Sequence, residues 1–251
     1  MPAPGHAAPR PWHMSGRLRI TSLEGSDPRL VVSFAGVGKP GDPQQVEEFV
    51  GSGRQGGRNH VLFVADTLRS WYNDPGIRDE IIAAVDAYRR EHGIERTVTF
   101  GNSMGGYGAV LMAGALGAVG CLALSAQYSA DPAVVPEETR WREYRDRIVR
   151  FTCPPLEDAL SPDCTYFVLH GGGRLERPHW SRFPRSTNIH HYLVGRAGHG
   201  VGRRLKAAGA MGQVASHAID LRPVAFRRAL AGAVEFRRLP RTVPEGAGAT
   251  G

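Results

Sequence analysis

From Thr97 to Gly108 the chain reads Thr-Val-Thr-Phe-Gly-Asn-Ser-Met-Gly-Gly-Tyr-Gly, and Ala109-Val110-Leu111-Met112-Ala113 follow directly. The apolar, β-branched run predicts a buried strand, and the Ala/Val/Leu/Met run predicts a helix. Between them stands Gly-x-Ser-x-Gly, the signature of a sharp turn that holds one serine in a strained backbone conformation at the strand's C-terminal edge. Gly101 and Gly105 lack a Cβ, so strand and helix can close on either side of Ser103. The free N–H groups and the positive dipole end of the helix then point at any oxyanion formed there.

The rest of the chain has to supply the other parts. At 251 residues it is long enough for one large domain with a full core, and no break in composition suggests two. Residues 1–16 are rich in Pro, Ala and Gly and read as a disordered tail, neither a signal peptide nor an anchor; residues 241–251 read as a flexible C-terminal tail. One domain is expected over 17–240. No stretch has the apolar length of a membrane span. Cys121, Cys153 and Cys164 are odd in number and lack metal-type spacing, which predicts no disulfide framework and agrees with a reducing, cytoplasmic location. The net charge of +7 comes almost wholly from arginine, Lys39 and Lys206 being the only lysines. The arginines occur in scattered pairs with no nucleic-acid motif, so they read as solvated surface.

Strands are predicted at Arg17–Leu23, an edge strand by its alternation, and at Leu30–Phe34, His60–Ala65, Cys121–Ser125, Thr165–His170 and Ile189–Val194. Ile77, Ile81, Val85 and Tyr88 repeat at helical spacing, and Gly93 closes that helix. Strand and helix in alternation predict an α/β fold: a mostly parallel twisted sheet with helices on both faces. Gly51-Ser52-Gly53-Arg54-Gln55-Gly56 matches a dinucleotide-binding pattern but precedes a strand, where such a loop must follow one, so no cofactor is expected. Residues 131–163 are long, Pro-broken and amphipathic, with Trp141, Tyr144 and Ile148 on one helical face and Arg140, Arg142, Arg145, Arg147 and Arg150 on the rest. They read either as a lid or specificity insertion or as a surface helix with solvated arginines. Further helices are expected near Val201–His217 and Val224–Arg238.

A serine hydroxyl needs a base, and His199, flanked by Gly198 and Gly200 after the last core strand, is the candidate. Glu176, the first acid after the penultimate strand, is the group expected to orient it, with Asp131 after the preceding strand as the alternative. The order Ser, acid, His, each after a parallel strand, matches the order that strand-turn-helix serine sites use. The backbone N–H groups of Met104 and Val37, or of Gly36 if the turn is one residue shorter, are the candidate oxyanion donors. Trp71, Tyr72, Tyr128 and Trp180 sit on exit loops and are candidates to wall a sugar or acyl subsite. Ten histidines raise a metal, but adjacent His190 and His191 face opposite sides of a strand and no His-x-x-x-His pair accompanies them, so no catalytic metal is expected.

At Gly101–Gly106 and around His199 the sequence resembles the α/β-hydrolase superfamily. Phe34 and Gly36, then Asp66 with Trp71 and Tyr72, then Ser-Met-Gly-Gly-Tyr and a glutamate acid look like the hydrolase-like proteins found near polysaccharide biosynthesis genes. More distantly they resemble the glycan O-acetyltransferase of accessory Sec systems. The resemblance implies a serine esterase or O-acyltransferase using Ser, Glu and His on a small-molecule or glycan ester, with a non-catalytic binding or assembly protein on the same fold as the other reading.

Overall fold

The computed structural model describes residues 8–39, 41–42 and 44–241. Nine strands form one sheet: β1 (Arg10–Met14), β2 (Leu18–Leu23), β3 (Arg29–Phe34), β4 (His60–Asp66), β5 (Arg96–Asn102), β6 (Gly120–Leu124), β7 (Thr165–Gly171), β8 (Ile189–Val194) and β9 (Phe236–Arg238). Their spatial order is β1-β2-β4-β3-β5-β6-β7-β8-β9, parallel from β4 through β8 and antiparallel at both edges. The helices are α1 (Val50–Arg54), α2 (Ile77–Glu91), α3 (Met104–Ala113), α4 (Arg142–Arg145), α5 (Leu156–Ala159), α6 (Arg177–Trp180), α7 (Val201–Ala207), α8 (Met211–Ile219) and α9 (Pro223–Ala231).

The unbroken apolar runs of the central strands follow from burial on both faces. All seven residues of β4 and all five of β6 are buried. Along β6 the period of two sends Cys121 and Ala123 into one core, under α2 and α3, and Leu122 and Leu124 into the other, under α7, α8 and α9. In α2 the apolar residues Ile77, Ile81, Val85 and Tyr88 face the first core, with acids in the first turn and arginines in the last, each matched to the helix dipole.

Several expectations are corrected at the edges. Arg10–Met14, assigned above to a disordered tail, pairs with β2 as the edge strand; the strand expected at Arg17–Leu23 is therefore the second one in, and four of the six residues of Leu18–Leu23 are buried between β1 and β4. Residues 1–7 and 242–251 lie outside the described residues. The last predicted helix stops at Ala231, and Phe236–Arg238 turns back as an edge strand on β8. The insertion holds no amphipathic helix over 140–150: Trp141 has φ 57°, which stops a helix from starting earlier, and only one turn follows. Arg145, expected to be solvated, is buried and donates to the carbonyls of Ala130, Glu138 and Arg140, while Trp141, Tyr144 and Ile148 pack on the core. The segment is thus a tied-down loop. Among the described residues no helix is long and apolar enough to cross a membrane.

Candidate active site

The strand β5 lies between β3 and β6 and runs directly into Ser103 and then α3. Ser103 has φ 61° and ψ −124°, a conformation an L-residue adopts only when its surroundings enforce it. Its N–H is tied to Leu124 O at 2.8 Å on the neighbouring strand. The glycines make that enforcement sterically feasible: a Cβ on Gly101 would lie 1.9 Å from Gly105 O, and one on Gly105 would lie 2.0 Å from Phe34 O. The serine is therefore projected from the sheet's C-terminal edge, 6% exposed.

His199, on the loop between β8 and α7, reaches Ser103 Oγ with Nε2 at 2.9 Å. Its Nδ1 lies 3.0 Å from Oε1 of Glu176, on the loop after β7. Glu176 thus faces the imidazole, whereas Asp131 caps its own loop by accepting the Ala133 N–H. With Nδ1–H donating to the carboxylate, Nε2 is left as the acceptor for the serine hydroxyl, which is the tautomer a general base needs. Glu176 is 1% exposed. Burial pushes its carboxyl up, but the hydrogen bond and charge of His199, together with the Arg140 guanidinium, outweigh this and hold it at about 2.

The N–H of Met104, at the start of α3, and that of Val37, after β3, take no acceptor among the described residues. Gly36, the other residue weighed on that loop, stands beside the Glu48 carboxylate, which would lie 3.5 Å from a Cβ placed there. Glu48 itself is pushed up to about 7 by burial, which the Gly36 N–H offsets only in part, and its Oε2 has no partner. Ser103 and His199 open onto a cleft of about 610 Å³, walled by Val37, Val46 and Trp141 and edged by Lys39, Glu48 and Arg203.

The aromatic residues expected to line a subsite are mostly elsewhere. Trp71 and Tyr72 are wholly buried, so neither offers surface to a ligand. Their turn is knotted by Asp66, whose Oδ2 accepts the N–H groups of Ser70 and Tyr72 and the Ser70 hydroxyl; this holds Trp71 and Tyr72 at φ 50° and 60° and turns both rings inward. The Tyr72 ring lies where a Gly108 side chain would be. Tyr128 donates its hydroxyl to Glu157 and borders a separate cavity of about 190 Å³ with Tyr107, Phe151 and Cys153. Trp180 ends α6 and is not among the cleft residues. The aromatic at the cleft is Trp141, its ring centroid 5.0 Å from that of His199.

Sequence reading missed the contacts that four polar residues make at the site. Gln127, two residues beyond Ser125 at the end of β6, donates Nε2–H to Ser103 Oγ at 3.1 Å and accepts the Trp71 indole N–H at 3.3 Å. Its place after the strand next to the nucleophile's was the available signal. Arg140, Glu138 and His179 form a run behind Glu176, Glu138 and His179 buried and Arg140 half-buried: Arg140 bonds Glu176 and both oxygens of Glu138, and Glu138 Oε2 meets His179 Nε2 at 2.8 Å. Glu138 is raised by burial but held at about 2 by His179 and Arg140. Nothing in the local pattern of residues 138–140 distinguishes these charges from surface ones. His190 and His191 do point apart, His190 to Arg241 and His191 to His170, and no cluster of three metal-type ligands occurs among the described residues.

No family model and no curated protein matches the sequence. Among solved structures, the capsule O-acetyltransferase of Neisseria meningitidis serogroup A superposes with a TM-score of 0.55 at 13% identity, covering 80% of this chain and 93% of that one. Est1E from Butyrivibrio proteoclasticus gives 0.58 at 12% identity over 87% of this chain and 100% of its own. A proline iminopeptidase from Mycobacterium smegmatis gives 0.52 at 14% identity over 87% and 99%. Identities this low speak to architecture, and they agree with the strand order and the turn after β5 that this protein has the α/β-hydrolase fold.

Proposed function

We propose that the protein is a serine esterase or O-acyltransferase that works through an ester on Ser103. The observation that carries the reading is the unbroken hydrogen-bonded run from Ser103 Oγ through His199 to Glu176, set on a strained turn at the N-terminus of α3. In acylation the Oγ–H proton passes to His199 Nε2 as Oγ bonds the carbonyl carbon. The carbonyl oxygen takes the negative charge against the Met104 and Val37 N–H groups. Collapse then expels the alcohol or thiol, which leaves with the proton from His199. Deacylation runs the same steps with water or an acceptor hydroxyl in place of Oγ. Glu176, ionised throughout because it is held at about 2, keeps the ring in the working tautomer and balances the imidazolium.

The cleft supports a substrate with polar ends: Lys39, Arg203, Asp42 and Glu48 face it alongside Trp141 and the valines. Lys39 and Arg203 are the groups that would meet an anionic acyl donor, and a mutant of the meningococcal capsule O-acetyltransferase has been solved in complex with CoA. A glycan hydroxyl is the acceptor class this neighbour suggests.

The test is stopped-flow turnover of p-nitrophenyl acetate and of acetyl-CoA, with and without added polyol or oligosaccharide. An acyl-enzyme gives a burst equal to the enzyme concentration, and His199→Ala lowers its rate by about 10³-fold or more. Faster product release with a hydroxyl acceptor, and an acylated acceptor in the products, assigns transfer; release unaffected by acceptor assigns hydrolysis. No burst and no turnover with either donor contradicts the reading and favours a non-catalytic protein on this fold.

A further inference from the structure

Glu176 Oε1 is shared between two donors. It accepts Nδ1–H of His199 at 3.0 Å and Nη1–H of Arg140 at 2.6 Å, while Oε2 has no partner. Orienting the imidazole requires only the first bond. The second sets a permanent cation against the oxygen that must balance the imidazolium. We propose that Arg140 is a positioning residue which, acting through Glu176, sets the pH below which His199 ceases to serve as the base, so that the β6–β7 insertion is part of the catalytic apparatus. The inference rests on the serine acyl-transfer reading and deepens it.

Arg140 is held for this task from behind. Its Nε donates to both Glu138 oxygens at 2.9 and 3.0 Å, and one Nη2–H reaches Leu175 O at 3.2 Å. Glu138 Oε2 in turn lies 2.8 Å from Nε2 of His179. His179 Nδ1 accepts the Tyr128 N–H at 3.0 Å, which leaves the ring proton on Nε2 to donate to Glu138. The Arg140 guanidinium also lies over the Trp141 ring, 4.4 Å from its centroid, and that ring flanks His199. Nη1 is turned away from Glu138 and reaches Glu176 on the loop after β7.

The sign follows from charge. A proton on His199 adds a cation two hydrogen bonds from Arg140, and the two like charges repel. Glu138, on the far side of Arg140, acts in the opposite sense. The other charged groups near His199 are Lys39, Arg203, Asp42 and Glu48 in the cleft, with His170 within charge range, and they are common to every variant compared.

The test is the pH dependence of the second-order rate of Ser103 labelling by a fluorophosphonate, on the full chain, with thermal unfolding run in parallel. In Arg140→Gln the acid limb moves up by about 1 pH unit while the high-pH plateau stays within a few-fold. Arg140→Lys restores most of the shift. Glu138→Gln moves the limb down. A folded Arg140→Gln whose acid limb coincides with that of the parent overturns the proposal, as does an equal loss of labelling at every pH in both Arg140 variants, which marks a structural clamp. If Arg140→Gln does not fold, an unmoved or upward limb in Glu138→Gln overturns it. A parent chain that is not labelled at any pH overturns the serine reading itself, and this inference with it.

Discussion

Ser103 combines a non-glycine side chain with φ 61°, held there by the Leu124 carbonyl and the crossing at Gly101 and Gly105. Such a conformation stores roughly 1–3 kcal/mol. Ser103→Gly is therefore expected to gain about 1 kcal/mol in denaturant unfolding after the flexibility of glycine is set against it, while Ser103→Ala, which keeps the Cβ, gains none. Glu48 carries a second stored cost. Its carboxyl is raised from 4.5 to about 7, so the folded state holds a proton that the unfolded state releases between those values. The stability associated with it is full below pH 4.5 and is lost as pH rises through about 7. Glu48→Gln should accordingly stabilise the protein by up to roughly 3 kcal/mol at pH 8 and leave it unchanged at pH 4, read from urea midpoints. An equal effect at both pH values would show that Glu48 is solvated.

At the scale of elements, the loop between β4 and α2 transmits order from the core to the nucleophile. Asp66, fully buried, fixes the turn; the turn places Trp71; Trp71 holds Gln127; and Gln127 donates to Ser103. Asp66→Ala removes three hydrogen bonds from a strained turn and is expected to cost about 3 kcal/mol in unfolding and to slow Ser103 labelling, whereas Asp66→Asn retains much of both. These links explain what the sequence could and could not disclose. The strand, the Gly-x-Ser-x-Gly turn and the order Ser103, Glu176, His199 were legible because they depend on local patterning and on loops that follow parallel strands. Trp71 and Tyr72 were misread because aromatic residues on an exit loop look the same whether they turn out or in; the direction was set by Asp66 and by the space beside Gly108. Gln127, Glu138 and Arg140 depend on distant partners, and no spacing rule ties residue 140 to residue 176.

Over the whole molecule, helices on both faces of the sheet leave its C-terminal edge as the place where loops after β3, β5, β6, β7 and β8 converge, and the insertion between β6 and β7 is anchored there by buried charge. That anchoring has a pH signature. Glu138 and Glu176 are both lowered from 4.5 to about 2, so the stability they contribute is complete above pH 4.5 and is lost as pH falls toward 2. Glu138→Gln should flatten the acid slope of unfolding free energy by about one proton between those limits, whatever its effect at neutrality. The edges of the sheet were the part least legible beforehand: β1 and β9 are short and mostly exposed, and their pairing with β2 and β8 is decided by neighbours brought from elsewhere in the chain. The account as a whole stands on one claim, that Ser103 is activated by His199. Intact-protein mass spectrometry after incubation with a fluorophosphonate tests it directly. The account predicts a single adduct on the native chain that is absent in Ser103→Ala and in His199→Ala; a folded native chain that gains no adduct, or one that gains it equally in both variants, would contradict it.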